Sequence, residues 1–145
     1  MNKRTKRLRK VVALAAVEEQ QECIGMKKVQ RALDQAVGRL DELTAYQKKY
    51  ESEPLPEGSI GAARWHDYQR FLARLNQAVA QQQQQVNNSE QTLEAHRRRW
   101  QQKRKRSGML EQIMERYRKA EVSRDEQRMQ KALDDIQPME KLFDT

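Results

Sequence analysis

The residue types that most often carry enzyme chemistry are few and scattered in this chain of 145 residues. There are two histidines, His66 and His96, and one cysteine, Cys23. Neither histidine has a cysteine or carboxylate cluster at metal-ligand spacing around it, and Cys23 has no histidine near it in sequence. No glycine-rich phosphate loop occurs. We therefore expect no catalytic site, no metal and no cofactor, and a protein that is not an enzyme.

Positive charge is the most conspicuous chemistry of the sequence, with a formal net charge of +8. A basic cluster surrounds Trp100 and consists of Arg97, Arg98, Arg99, Lys103, Arg104, Lys105 and Arg106. It could bind an acidic protein surface, remain a solvated helix face or grip a nucleic-acid backbone. Contact with an acidic protein is favoured, because no helix-turn-helix, stacking platform or other nucleic-acid module accompanies it.

A second set of cations lies in residues 1–10, which contain no acid. A basic helix start opposes the helix dipole, so we expect the first turn to fray. The apolar segment 11–17 is too short for a signal peptide, and no apolar segment approaches the roughly 20 residues that span a bilayer. The expected location is the cytoplasm.

The elements that carry these residues are long helices. Only 37% of residues are hydrophobic and 34% are charged, which is typical of long helices with a narrow apolar seam. Residues 65–100 follow a seven-residue repeat, the pattern of a helix that packs along a partner helix. Its positions are Trp65, Tyr68, Leu72, Leu75, Val79, Gln82, Val86, Ser89, Leu93, His96 and Trp100.

A similar stripe precedes it. Its positions are Leu8, Val12, Ala15, Glu19, Glu22, Met26, Val29, Leu33, Ala36, Leu40, Leu43, Gln47 and Tyr50. Because Glu19 and Glu22 interrupt the apolar pattern, we expect loose pairing upstream, or pairing through Cys23 and Ile24 instead. Gly25 and Gly38 each cost about 1 kcal/mol relative to alanine in a helix, and mark either close approach or bending.

One break separates the two stripes. Residues 51–63 contain Pro54, Pro56, Gly58 and Gly61, with Ser59 as the expected N-cap of the next helix. The prediction is an all-α fold, a long antiparallel two-helix coiled-coil hairpin forming one domain over 1–145. The helices are expected over about 5–50 and 64–136, with the turn at 51–63 and a tail at 137–145 after Pro138. The second helix is longer, so part of it should extend beyond the first.

A flanking stripe of larger side chains lies near the break on both helices. It consists of Arg39, Leu43, Tyr46 and Tyr50 on the first helix and Phe71, Leu75, Ala78 and Gln82 on the second. Folding the hairpin brings both sets to the same end. An apolar, aromatic-rich patch there indicates a protein-binding surface, although these rings could also simply cap the hairpin.

Two segments carry a family resemblance. LDELTAYQKKY (40–50), followed by the break and RWHDYQRFLARLNQAV (64–79), resembles the FliJ family of the flagellar type III export apparatus. Residues 116–136 resemble the C-terminal half of the family.

The resemblance implies a coiled-coil stalk that promotes assembly of the export ATPase ring through its termini. It also implies contact with the cytoplasmic domain of the export gate protein FlhA, binding of export chaperones, and a role in flagellum assembly and motility. The implied location is the cytoplasm, peripheral at the cytoplasmic face of the inner membrane. Carried over by position, the gate contact falls on the flanking stripe named above. Two alternatives remain open at this point, a basic coiled-coil protein that binds nucleic acid and the analogous stalk of a virulence secretion system.

Overall fold

The computed structural model describes residues 2–53 and 61–143, with side chains described as far as residue 137. Helix α1 spans Lys3–Ser52 and helix α2 spans Ala62–Phe143. The described ranges contain no strand. The two helices pack against each other in opposite directions, so the predicted all-α helical hairpin is confirmed.

Both helices extend further than the sequence predicted. Asn2 caps α1, since its Oδ1 accepts a hydrogen bond of 2.8 Å from the Thr5 amide, and the cap offsets the unfavourable basic first turn. At the other end, α2 continues past Pro138 to Phe143, so the predicted helix end at Ile136 is wrong. A proline removes one backbone hydrogen bond and can kink a helix without ending it. The predicted breakers Pro54, Pro56 and Gly58 and the predicted cap Ser59 lie outside the described residues.

The chain divides into two compact units, and the prediction of one domain stays untested. Unit 2 is Glu22–Trp100, and unit 1 combines Met1–Gln21 with Gln101–Thr145. Each unit contains a segment of α1 packed against a segment of α2.

The core of unit 2 is a thin apolar seam. Leu33 and Ala36 of α1 are buried against Val86 and Leu93 of α2. Met26, Val29 and Leu40 pack around them and remain partly exposed. Among the described residues, no large side chain is completely buried. Two helices alone cannot enclose a side chain on all sides, so the stability of this unit is spread over many half-buried contacts.

The predicted seam is confirmed on both helices. All thirteen positions of the α1 stripe, and all eleven positions of the α2 stripe over residues 65–100, are buried or half-buried. Glu19 and Glu22 belong to this seam, because a long acidic side chain can pack its methylene groups along the interface while its carboxylate lies at the edge. The alternative pairing through Cys23 and Ile24 fails at Ile24, which is about half exposed, whereas Cys23 is half-buried.

Unit 1 has its own contacts between α1 and α2. Ala15 of α1 is buried, as is Ser107 of α2. Lys103 Nζ forms a salt bridge of 3.1 Å with Glu18. Near the start of α1, the Thr5 hydroxyl donates a hydrogen bond of 2.5 Å to Glu121. Beyond Glu121, every described side chain of α2 is exposed, because the described part of α1 begins opposite Glu121 and covers little of this segment.

Candidate functional site

An aromatic cluster lies where the two helices approach the connection in unit 2. Tyr50 of α1 contacts the ring of Phe71 edge-on, with the ring centroids 5.0 Å apart, and contacts Tyr68 at 6.4 Å. Trp65 packs on Tyr68 at 5.9 Å. We call these four residues the aromatic cluster. The two edge-to-face pairs of Tyr50 each stabilise by about 0.5–1.5 kcal/mol beyond their buried area, which helps to fix the rings of Tyr50, Tyr68 and Phe71.

The aromatic cluster leaves part of its surface open. Phe71 remains 43% exposed although Tyr50 covers one side of it. Tyr46, one turn before Tyr50, is 57% exposed, and Arg39 is exposed as well. An ordered but uncovered aromatic ring provides apolar area at little entropic cost, which favours contact with another protein.

The remaining members of the predicted gate-contact stripe lie deeper. Leu43 and Ala78 are half-buried, whereas Leu75 is buried in the seam. Gln82 is also buried, and its Nε2 donates a hydrogen bond of 3.0 Å to the carbonyl oxygen of Ala36. The fold therefore brings the eight residues to one unit. It leaves Arg39, Tyr46 and Phe71 as the members open to a partner, with Leu75 and Gln82 beneath them as packing residues.

Part of the basic cluster lies in unit 2, where it is partly neutralised. Glu94 lies 3.6 Å from Arg97 and 3.4 Å from Arg98, one turn away on the same helix. Exposed pairs of this kind contribute little to stability, about 0–1 kcal/mol, and their charges stay accessible. Arg99 is exposed beside them.

The rest of the basic cluster lies in unit 1. Lys103 is half-buried and paired with Glu18, so it belongs to the packing of the helices. Arg104, Lys105 and Arg106 are exposed. The seven cations are thus not equivalent, and fewer of them are open to an acidic partner than the sequence predicted.

A free apolar stripe occupies the unpaired segment of α2 in unit 1. Its members are Val122, Met129, Leu133 and Ile136, each about half or more exposed. Steps of seven, four and three residues place them on one helix face. We call these four residues the free stripe. A helix with such a face and no partner helix is suited to binding another protein.

Polar contacts anchor the start of α1 to α2 next to the free stripe. The Thr5 hydroxyl lies between Asn2 Oδ1 at 2.9 Å and Glu121 Oε1 at 2.5 Å. The hydrogen bond from Thr5 lowers the pKa of Glu121 below its ordinary value, and a backbone hydrogen bond from Asn2 adds to this.

His96 lies on the seam of unit 2, as predicted, and faces Gly25. The ring Nδ1 is buried and has no hydrogen-bond partner among the described residues. A Cβ atom at Gly25 would stand 3.7 Å from it. The described residues contain no group of three or more histidine, cysteine or acidic side chains that could hold a metal ion.

Sequence reasoning missed several structural residues. Thr5 and Ser107 lie on the seam, three residues before Leu8 and seven after Trp100. Extending the pattern by one step before Leu8 and by one full repeat after Trp100 would have found them. The pairing of Glu18 with Lys103 has no such signal, because it depends on the register between the two helices.

Comparisons with known proteins identify the family of this chain. A family model described as "Flagellar FliJ protein" matches residues 4–140. The chain is 28% identical over 129 residues to the flagellar FliJ protein of Escherichia coli strain K12, covering 88% of this chain and 86% of that protein. No solved structure matches. No helix within the described residues is both long and apolar enough to cross a bilayer. With a match that extends over nearly the whole hairpin, the chain belongs to the FliJ family of flagellar proteins.

Proposed function

We propose that this protein is a non-enzymatic component of flagellar type III protein export, acting as a helical stalk with two binding surfaces. One surface, around the aromatic cluster, contacts the cytoplasmic domain of the export gate protein FlhA. The other, formed by the free stripe of α2, contacts the export ATPase and promotes assembly of its ring. Family membership supports the involvement in flagellar export, and the two surfaces support the finer assignment.

The gate contact is carried by one observation, the partly exposed ring of Phe71 held edge-on by Tyr50. Binding energy in protein interfaces concentrates in such aromatic anchors. Tyr46 adds apolar area beside it, and Arg39 adds a positive charge at the rim. Leu75 and Gln82 contribute by fixing the backbone beneath the surface, because neither has enough exposed area to bind directly.

The ATPase contact rests on the free stripe. Its exposed side chains, centred on Met129, lie on a segment of α2 that has no described partner helix. Methionine adapts its shape to irregular surfaces, which suits a site that meets several subunits of a ring. The same face would serve the binding and recycling of export chaperones, and association with the inner membrane would follow from contact with the export apparatus.

The nucleic-acid alternative has less support. Three of the seven cations in the basic cluster face carboxylates, Arg97 and Arg98 at Glu94 and Lys103 at Glu18. Both comparisons are with flagellar proteins, which favours flagellar export over the analogous virulence system.

The gate contact is tested with Phe71→Ala, and Tyr117→Ala serves as the matched control. Tyr117 is another aromatic with a similar exposed fraction, 41%, and lies in unit 1. Calorimetric titration against the FlhA cytoplasmic domain should show Phe71→Ala weakening binding by about 1–3 kcal/mol, with the control unchanged. Circular dichroism should show equal helicity in both variants. Unchanged affinity of Phe71→Ala would remove the aromatic cluster from the gate contact.

The ATPase contact is tested by hydrolysis rate and ring formation of the purified export ATPase. Addition of the wild-type chain should raise both. Met129→Glu should abolish the increase, because it places a charge in the centre of the free stripe, whereas it should leave gate binding intact. No stimulation by the wild-type chain of an ATPase shown to be active would overturn the stalk assignment and leave the gate contact to be judged separately.

A further inference from the structure

The first four turns of α1 carry a feature that neither proposed protein contact uses. The first 17 residues contain six cations and no acid. All six side chains are exposed in unit 1, and none forms a salt bridge with a described residue; they are Lys3, Arg4, Lys6, Arg7, Arg9 and Lys10. Two carboxylates of α2 in the same unit have other partners, since Glu121 accepts a hydrogen bond from Thr5 and Glu115 binds Arg118 at 2.7 Å.

The cations are followed along the helix by exposed aliphatic side chains. Leu14 is 59% exposed, Val17 49% and Val11 41%. At about 100° per residue, these three lie within an arc of about 120° that faces away from the seam. Three of the six cations, Lys3, Arg7 and Lys10, fall within the same arc.

We propose that this face, a basic-apolar surface made of the six cations with Val11, Leu14 and Val17, binds directly to an anionic lipid bilayer. Cationic side chains near an anionic membrane each strengthen binding through the surface potential. Aliphatic side chains on the same helix face then enter the interface between head groups and acyl chains. The charge attraction and the insertion of aliphatic side chains therefore add to the same binding energy.

The distribution of charge favours a bilayer over other anionic partners. The six cations cover about 220° of the circumference of α1, far wider than the contact strip of a single partner helix. A nucleic-acid backbone would use the cations but would leave the exposed Val11, Leu14 and Val17 without a role, and no aromatic side chain lies in these turns to stack on bases. An anionic bilayer offers negative head groups to the cations and an apolar interior to the aliphatic side chains. This inference does not rest on contact with the ATPase or the gate.

The test measures partition of the full chain between solution and vesicles by co-sedimentation. Vesicles of phosphatidylcholine mixed with phosphatidylglycerol are compared with vesicles of phosphatidylcholine alone. Wild-type protein should bind only the anionic vesicles, and binding should fall as salt is added, because screening weakens charge attraction.

Two variants with equal loss of charge separate the local surface from net charge. The first replaces four cations of the outward side of α1 by glutamine, as K3Q/K6Q/R7Q/K10Q. The second is the matched control K27Q/K28Q/R31Q/K48Q, which removes four exposed cations of unit 2. The first should lose partition by several hundredfold, at about fivefold for each cation near the surface. The second should change it by no more than about twofold, since its cations lie outside the surface. Equal losses in the two variants would overturn the proposal.

A third comparison separates a bilayer from a soluble polyanion. Leu14→Gln should lower partition by about tenfold, because it removes the largest aliphatic group that enters the bilayer. Met109→Gln is its control, since Met109 is 62% exposed on α2 of the same unit and lies outside the basic-apolar surface. Circular dichroism verifies that both variants fold. If Leu14→Gln binds as well as wild type, or if wild type does not bind anionic vesicles, the surface is not a membrane-binding site.

Discussion

Two glycines in the middle of α1 offer a sharp test of how closely the helices pack in unit 2. A Cβ atom at Gly38 would meet nothing within 4 Å, whereas at Gly25 it would stand 3.7 Å from Nδ1 and 3.9 Å from Cε1 of His96. Both residues lie in regular helix without the positive φ that would require glycine. The two positions therefore differ in what faces them.

Gly38→Ala should raise the free energy of unfolding by about 1 kcal/mol, the difference in helix propensity between glycine and alanine. Gly25→Ala gains the same backbone contribution. At 3.7 Å the new methyl group makes an ordinary contact and no clash, but it seals the imidazole in the position where its buried Nδ1 has no hydrogen-bond partner in the described part of the chain. Sealing an unpaired polar atom costs about 1 kcal/mol, so the net change should be close to zero.

Urea unfolding followed by far-ultraviolet circular dichroism measures both changes, and both sites lie in the same unit. A double-mutant cycle isolates the cause. In a His96→Leu background, Gly25→Ala should recover a gain of about 1 kcal/mol, because no polar atom is sealed. An equal gain in the free energy of unfolding from Gly25→Ala and Gly38→Ala in the wild-type background would refute the argument from His96. A loss of stability in Gly38→Ala would show that a side chain at position 38 does meet a neighbouring group.

Two further predictions concern polar groups between the helices. Gln82→Ala should lower the free energy of unfolding by about 2 kcal/mol, since it removes a buried side chain and its hydrogen bond to the Ala36 carbonyl. Its control Gln83→Ala should cost only about 0.3 kcal/mol, because that exposed residue pairs with Asn87 along its own helix. Equal losses in urea titrations would contradict a stabilising role of the buried Gln82 side chain. Thr5→Val should raise the pKa of Glu121 toward its ordinary value of 4.5, which NMR titration of the carboxyl group detects. Because the folded-state pKa of Glu121 is lowered, its stabilising contribution is present above the unfolded-state pKa and is lost as pH falls through the folded-state pKa. The stability difference between wild type and Thr5→Val should therefore shrink as the pH falls below 4.5. A difference that does not change with pH would exclude this contribution.

Helical periodicity allowed much of the fold to be predicted. Each helix repeats its apolar residues in steps of three and four. This repeat alone predicted the seam positions from Leu8 to Tyr50 and from Trp65 to Trp100. The unequal lengths of the two stripes also predicted that part of α2 would extend beyond α1. The end of α2 was predicted too early, because the effect of Pro138 depends on whether the rest of the helix tolerates the loss of one hydrogen bond.

The candidate gate contact was predicted less completely. The spacing of Phe71, Leu75, Ala78 and Gln82 placed all four on one face of α2. It could not say that Phe71 would stay open and Gln82 would be buried against Ala36. Exposure of a flanking residue depends on how far the partner helix rotates toward it, and that rotation is not encoded in the spacing along one helix.

The sequence by itself determined the helices, their apolar seams, the reversal between them and the family, because these depend on local periodicity and on residue order. Only the tertiary structure decided the register that pairs Thr5 with Glu121 and Glu18 with Lys103. It also decided that Gly25 faces His96 and that Gly38 faces open space. Such contacts join residues far apart in the chain, and the register that creates them results from packing summed over the whole seam, to which each local segment contributes only a small share.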